Sequence, residues 1–273
     1  MKKYFPTFFA FVSKMAPKLA AKIALIIFST PVRTPRPESE RLWLETSKKY
    51  FLKNGIAAFE WGESTNPLVM LIHGWNGRGT QIASFAGPLV EKGFRVVALD
   101  GPGHGISPGK RTNPSLFANF IKDAQIELTN NGEVHAVIAH SFGGGSTVLA
   151  AGRGLKTKKI VLIASPAFYD KVVLFFARSI KLSDKAIAHF VKEVTNYSGI
   201  PPREINIANL GSLLHIPVMI VHDSADNAVD YQSAITIHEA WSKSVLLTTK
   251  GLGHRRILKD KKVIEEVVNF INS

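Results

Sequence analysis

A chain of 273 residues with 45% hydrophobic and 20% charged side chains has the length to bury a substantial core as one α/β domain, and its balance excludes a disordered, repetitive or fibrous protein. With no cysteine, disulfides, thiolate catalysis and cysteine-ligated metal are excluded. The formal net charge of +13 predicts attraction to anionic surfaces. The cations fall in small groups, such as Lys156 to Lys159 and Lys259 to Lys262, without the interleaved aromatics of a nucleic-acid module, so no nucleic-acid partner is expected.

The first 37 residues form an apolar and basic helical segment with a linker. Lys2 and Lys3 ahead of Tyr4 to Val12 imitate a secretory signal, but Pro6 interrupts the run, no small-x-small cleavage site follows, and Lys14, Lys18 and Lys22 recur every four residues. Those lysines mark one face of a helix whose other faces carry Leu19, Ile23, Leu25, Ile26, Ile27 and Phe28. The run Ile23 to Phe28 falls far short of the roughly 20 residues that span a bilayer. The expectation is a segment that packs on the domain of a cytoplasmic protein. Peripheral contact with a membrane surface is the second reading and a cleaved signal the third.

Thr30 to Glu40, with Pro31, Pro35 and Pro37, reads as a connector. A helical pattern is expected from Glu38 to Leu52, and an alternating strand from Gly55 to Trp61 begins the sheet. Pro67 to Ile72, Phe94 to Leu99, Val134 to Ala139, Ile160 to Ala164, Pro217 to Val221 and Val245 to Thr249 follow as short continuous apolar runs, the pattern of strands buried on both faces. The intervals carry helical patterns, clearest at Ser115 to Leu128, Ser233 to Trp241 and Lys262 to Ile271. Such alternation predicts a mostly parallel sheet with helices on both faces, whose working residues gather at the carboxyl ends of the strands. Residues 38–273 make this domain. The interval 165–216 exceeds what a crossover needs and is rich in apolar side chains, so it is read as a helical cap or lid. Phe168, Tyr169, Val172 and Phe176 are its candidate substrate-pocket residues.

The third run ends in Ala-His-Ser-Phe-Gly, residues 139–143, before a small-residue helix pattern. A strand-to-helix turn of this kind exposes and strains its central residue, Ser141, and requires small neighbours such as Ala139 and Gly143. This resembles the nucleophile elbow of the α/β-hydrolase superfamily, with Ala139 where the first glycine usually stands. The turn His73-Gly74-Trp75, the loop Asp100 to Ser107, the turn His222 to Val229 and the pair Gly253-His254 resemble other motifs of that superfamily in the same order, so the resemblance covers about residues 55–273. The glycines at 101, 103 and 105 alternate, which is neither a dinucleotide fingerprint nor a P-loop.

A serine hydroxyl needs a base to take its proton, and the base needs a carboxylate to orient it. Among nine histidines, the resemblance selects His254 as the base. Asp223, Asp226 and Asp230 crowd one turn, and the resemblance places the acid on Asp226, with Asp223 the alternative. It also implies an oxyanion hole from the amides of Phe142 and Trp75, with His73 structural. The function implied is a serine hydrolase, with no cofactor and no metal, that takes a small ester with an apolar acyl group. Thioesterase, peptidase or lipase chemistry and a non-catalytic ligand-binding protein remain as alternatives.

Overall fold

The computed structural model describes residues 5–273, so the charged start read at Lys2 and Lys3 lies outside the described residues. Two helices, α1 (Phe5–Met15) and α2 (Pro17–Ser29), come first. Pro17 opens α2, a position where its missing N–H has no intrahelical partner to lose. A single 3-10 turn at Glu38–Glu40 and the short helix α3 (Arg41–Glu45) lead to strands β1 (Lys48–Phe51) and β2 (Ala57–Trp61). Then β3 (Leu68–Ile72), α4 (Ala86–Glu91), β4 (Arg95–Leu99), α5 (Pro114–Thr129), β5 (Val134–His140), α6 (Phe142–Gly152) and β6 (Thr157–Ile163) alternate. Helices α7 (Tyr169–Ser179), α8 (Asp184–Ser198) and α9 (Ile207–Ser212) fill the long interval before β7 (Val218–Asp223). They are followed by α10 (Gln232–Ala240), β8 (Ser244–Thr249), α11 (Gly253–Arg256) and α12 (Lys261–Asn272).

The strands form one sheet in the order β1-β2-β4-β3-β5-β6-β7-β8. Pairing is parallel from β4 through β8 and antiparallel at β1, β2 and β4. Alternate side chains of β3 enter opposite cores, as the pleat requires. Val69 and Leu71 join Ile82, Phe85, Val263 and Val267 on one face, while Met70 and Ile72 join Phe117, Ile121 and Leu149 on the other. Both faces being covered, the continuous apolar runs are accounted for.

The region 38–52 departs from the helical expectation. The helix stops at Glu45, where the Thr46 and Ser47 hydroxyls donate to the Leu42 and Leu44 carbonyls, and the chain turns into the edge strand β1. Lys48 to Phe51 then pair with Ala57 to Glu60. The sheet thus begins one strand earlier than expected. Strand β2 is buried on both faces through Ala57 to Glu60 rather than alternating.

Helices α1 and α2 share an apolar core with the helices of the long interval. Phe9, Ala20, Ala21, Ala24 and Leu25 are buried against Val173, Ala177, Ala186, Phe190 and Val194. Ser183, the N-cap of α8, donates its hydroxyl to the Ser13 carbonyl and its amide to the Ser13 hydroxyl. The connector is laced to the loops after β3 and β4. Arg33 donates to the carbonyls of Gly103, Ser107 and Gly109, Arg36 pairs with buried Asp100 at 3.2 Å, and Arg78 forks onto Glu40 at 2.7 and 3.0 Å.

Candidate active site

Three loops at the carboxyl ends of β5, β7 and β8 bring Ser141, Asp226 and His254 together. His254 Nε2 lies 3.1 Å from Ser141 Oγ, and His254 Nδ1 lies 2.8 Å from Asp226 Oδ2. With Nδ1–H donating to the carboxylate, Nε2 keeps its lone pair toward the hydroxyl, the tautomer a general base requires.

Ser141 takes φ 52° and ψ −121°, a conformation rarely held by a side-chain-bearing residue. The strand supplies the serine at its end, and α6 starts at the next residue. Close packing fixes the neighbours. A Cβ on Gly143 would meet the His73 carbonyl oxygen at 2.5 Å, and one on Gly74 would meet Ser141 Cβ at 3.0 Å. Ala139 is fully buried in the core, so its methyl is accommodated where the resemblance favours glycine.

The two carboxylates of the acid turn separate by partner. Asp223 accepts hydrogen bonds from the Thr249 hydroxyl and from the amides of Ala225, Gly251 and Leu252, so it fastens the loop that carries His254. Burial works to raise its pKa, and those donors outweigh it, holding the carboxyl at about 2. Asp226 accepts from the amides of Ala228 and Val229 as well as from His254. Burial again opposes ionisation, and the His254 hydrogen bond with the two amides carries the pKa below its ordinary value. His222 Nε2 lies 3.6 Å from the same Asp226 oxygen, Oδ2, and donates to the Val229 carbonyl, and burial lowers its pKa. Asp230 makes only a local turn bond to the Gln232 amide among the hydrogen bonds of the described side chains.

The loop after β3 is built by two neutral imidazoles. His73 Nε2 accepts from the Gly101 amide at 2.9 Å, which leaves Nδ1–H to donate to the Gly74 carbonyl at 2.7 Å. His104 accepts from the Asn76 amide at 3.2 Å. Burial holds His73 at about 4 and His104 at about 3, so both rings are uncharged near neutrality. Asp100 accepts from the amides of Gly79 and Ile106, and the room for its carboxylate exists because position 105 has no Cβ. These bonds present Trp75 beside Phe142, with ring centroids 5.2 Å apart. Among the described residues, neither the Trp75 nor the Phe142 amide has a hydrogen-bond acceptor.

His140 has a place of its own. Its buried ring lies 4.7 Å from that of His254 and donates through Nε2 to the His254 carbonyl at 2.9 Å. Burial, with the neighbouring His254 second, lowers its pKa to about 3.

Of the candidate pocket residues, Tyr169 lines a cavity of about 20 Å³ beside Phe142, together with Pro114, Ser146, Ile205 and Ile207. That volume holds about one water molecule. Phe176 packs on Phe28 and Phe190 at centroid distances of 4.9 and 5.8 Å. Phe168 turns away from the cavity into the cluster of Ile207, Ile237 and Trp241, with the Lys171 ammonium over its ring, because its backbone bridges to Asn206. Val172 is half-buried on α7. Sequence reasoning misses Phe28, whose ring meets Trp75, Tyr169, Phe176 and Phe190. Its apolar helical setting is visible in the sequence, but its partners are not. No group of three or more histidine or acidic side chains suited to a metal ion occurs among the described residues.

Comparison with known proteins places the fold and the family. The family described as serine aminopeptidase, S33, matches residues 63–207, and a second, described as TAP-like protein, matches residues 197–272. A serine hydrolase-like protein of Mus musculus is 31% identical over 121 residues, 42% of this chain and 38% of that one. The sn-1-specific diacylglycerol lipase ABHD11 of Mus musculus is 25% identical over 68% of this chain and 52% of its own length. The alignments thus span about half or less of these relatives. Among solved structures, a putative lipase from Acinetobacter baumannii superposes with a TM-score of 0.67 at 20% identity, over 86% of this chain and 93% of that one. An esterase from Exiguobacterium antarcticum superposes with a TM-score of 0.62 at 17% identity, over 83% and 100%. A family match across residues 63–207 joined to this sheet topology means that the chain belongs to the serine aminopeptidase, S33, family and with it to the α/β-hydrolase superfamily of serine hydrolases.

Proposed function

We propose that this protein hydrolyses carboxylic esters with apolar acyl groups, and that Ser141, His254 and Asp226 carry the reaction. Ser141 Oγ attacks the acyl carbonyl while its proton passes to His254 Nε2. Asp226 holds the imidazole in the required tautomer and stabilises its positive charge. The carbonyl oxygen, now negative, takes the two uncommitted amides of Phe142 and Trp75, donors fixed before the reaction begins. As the tetrahedral intermediate collapses, His254 returns the proton to the departing alcohol. A water activated by the same imidazole then attacks the acyl-serine, releases the acid and restores Ser141.

The observation that carries this reading is the continuous hydrogen-bonded line from Ser141 Oγ through His254 to Asp226, with spacings of 3.1 and 2.8 Å. A serine at this turn, rather than an aspartate, favours acyl transfer over the epoxide and haloalkane chemistries of the superfamily. The apolar side chains of Tyr169, Ile205 and Ile207 beside Phe142 favour an apolar acyl group over a substrate with a free amine. The test is intact-mass analysis after a fluorophosphonate probe, on the native protein and on Ser141→Ala, followed by an ester panel of increasing acyl length. A single adduct lost in the variant, with turnover on the panel, is expected. A folded native protein that takes no adduct and turns over no ester overturns the reading in favour of ligand binding without chemistry.

A further inference from the structure

The inner face of the α1–α2 pair is accounted for by the shared core with α7 and α8. The outer face is not. Phe11 is 64% exposed, Met15 74%, Leu19 54% and Ile26 52%. Phe11 and Met15 are one helical turn apart on α1, and Leu19, half-buried Ile23 and Ile26 follow one another at turn spacing on α2, so each helix carries an apolar row facing outward. Lys14, Lys18 and Lys22 are all exposed and run alongside these rows. No aspartate or glutamate occurs before Glu38, so the segment is cationic without internal compensation.

Exposed large apolar side chains grouped on one element mark an interaction surface, and the flanking charge selects the partner. A row of aliphatic and aromatic side chains bordered by lysines, on helices that run along the surface, is the pattern of an interfacial helix whose apolar edge enters the acyl region while its cations meet anionic headgroups. Spanning is not available to it, since no helix among the described residues is long and apolar enough to cross a membrane. We propose that the outer face of α1 and α2 docks this protein on an anionic lipid surface. The inference stands apart from the proposed chemistry, because docking is read without turnover. Its structural consequence is specific. The same helix that meets the lipid carries Phe28 against Trp75 on its other side, so the docked face lies one helix diameter from the candidate site.

Co-sedimentation of the full chain with vesicles tests the proposal. Binding is expected to vesicles of phosphatidylcholine mixed with phosphatidylglycerol, to weaken with added salt, and to be much weaker on phosphatidylcholine alone. Replacing Lys14, Lys18 and Lys22 together by glutamine is expected to lower the partition coefficient by about a hundredfold, at about fivefold for each lysine near the surface. Leu19→Asp with Ile26→Asp is expected to abolish binding while leaving the unfolding temperature unchanged, because both side chains are already exposed. Retained binding in either set of variants, or no preference of the full chain for anionic vesicles, overturns the proposal. A concentration-dependent dimer that is lost in Leu19→Asp with Ile26→Asp, without vesicle binding, assigns the face to a second copy and overturns it equally.

Discussion

Phe28 of α2 stacks on Trp75 with ring centroids 6.5 Å apart and planes 21° from parallel, joining the amino-terminal helices to the loop that faces Ser141. The contact continues to Phe176 of α7 and Phe190 of α8, so one ring touches three separate parts of the chain. Replacing it by alanine leaves a gap at their junction. We expect Phe28→Ala to destabilise the fold by about 2–3 kcal/mol, below the full core value because the ring is only half-buried. The loss in kcat/KM is expected to be larger for long acyl esters than for acetate. Denaturant unfolding and the ester panel check the two parts.

Asp223 and Asp226 invite a direct contrast. Asp226→Asn keeps the amide bonds possible on one oxygen but removes the charge facing His254, so kcat is expected to fall by about a thousandfold or more with little change in unfolding temperature. Asp223→Asn breaks up the cluster of four donors that fastens the histidine loop. It is expected to destabilise by about 1–3 kcal/mol and to lower kcat by a smaller factor. Opposite rankings of the two variants would exchange their roles.

Acid should destabilise this protein before its carboxylates protonate. His73, His104 and His140 are held at about 4, 3 and 3, whereas each titrates near 6.5 when unfolded. Above pH 6.5 both states are neutral at these rings and nothing is at stake. Below it the unfolded chain binds protons that the native one refuses, so stability falls with pH, by up to about 1.4 kcal/mol per pH unit for each ring. The depressed Asp223 acts in a lower window, its contribution present above about pH 4 and lost as pH falls through about 2. Denaturant melts at pH 7, 6 and 5 are expected to show the first loss, with a shallower slope in His104→Gln.

At the elbow the two flanking small residues are expected to differ. Gly143→Ala drives a methyl into the His73 carbonyl and is expected to cost about 2 kcal/mol or more and to lower activity sharply. Ala139→Gly removes a buried methyl and is expected to cost about 1 kcal/mol while activity survives. Thermal melts with the fluorophosphonate adduct as readout separate the two.

Much of this arrangement is legible in the amino-acid sequence. Short apolar runs ending in polar clusters give the parallel sheet, because a strand buried on both faces leaves no other pattern. Ser141, Asp226 and His254 meet because each lies just past such a run. What escapes the sequence depends on partners distant in the chain. Lys48 to Phe51 form a strand only because Ala57 to Glu60 lie beside them, and locally they continue a helical pattern. Phe168 and Tyr169 are adjacent and similar in composition, yet the bridge to Asn206 sends one under α9 and leaves the other beside Phe142. Composition marks the interval 165–216 as apolar without saying which rings face inward, and Phe28 lies about 150 residues before the ring it touches at 176.

The core that α1 and α2 share with α7 and α8 bears on the order of assembly. Residues 9–25 are buried against residues 173–194, so this part of the core closes very long loops. Contacts of such separation are entropically late. Arg33, whose guanidinium holds the carbonyls of Gly103, Ser107 and Gly109, is reeled in by the same event. The sheet can therefore form around a serine that is not yet framed, and refolding followed by tryptophan fluorescence and by recovery of probe labelling should give two rates, the second slower and carried by the docking of α1 and α2.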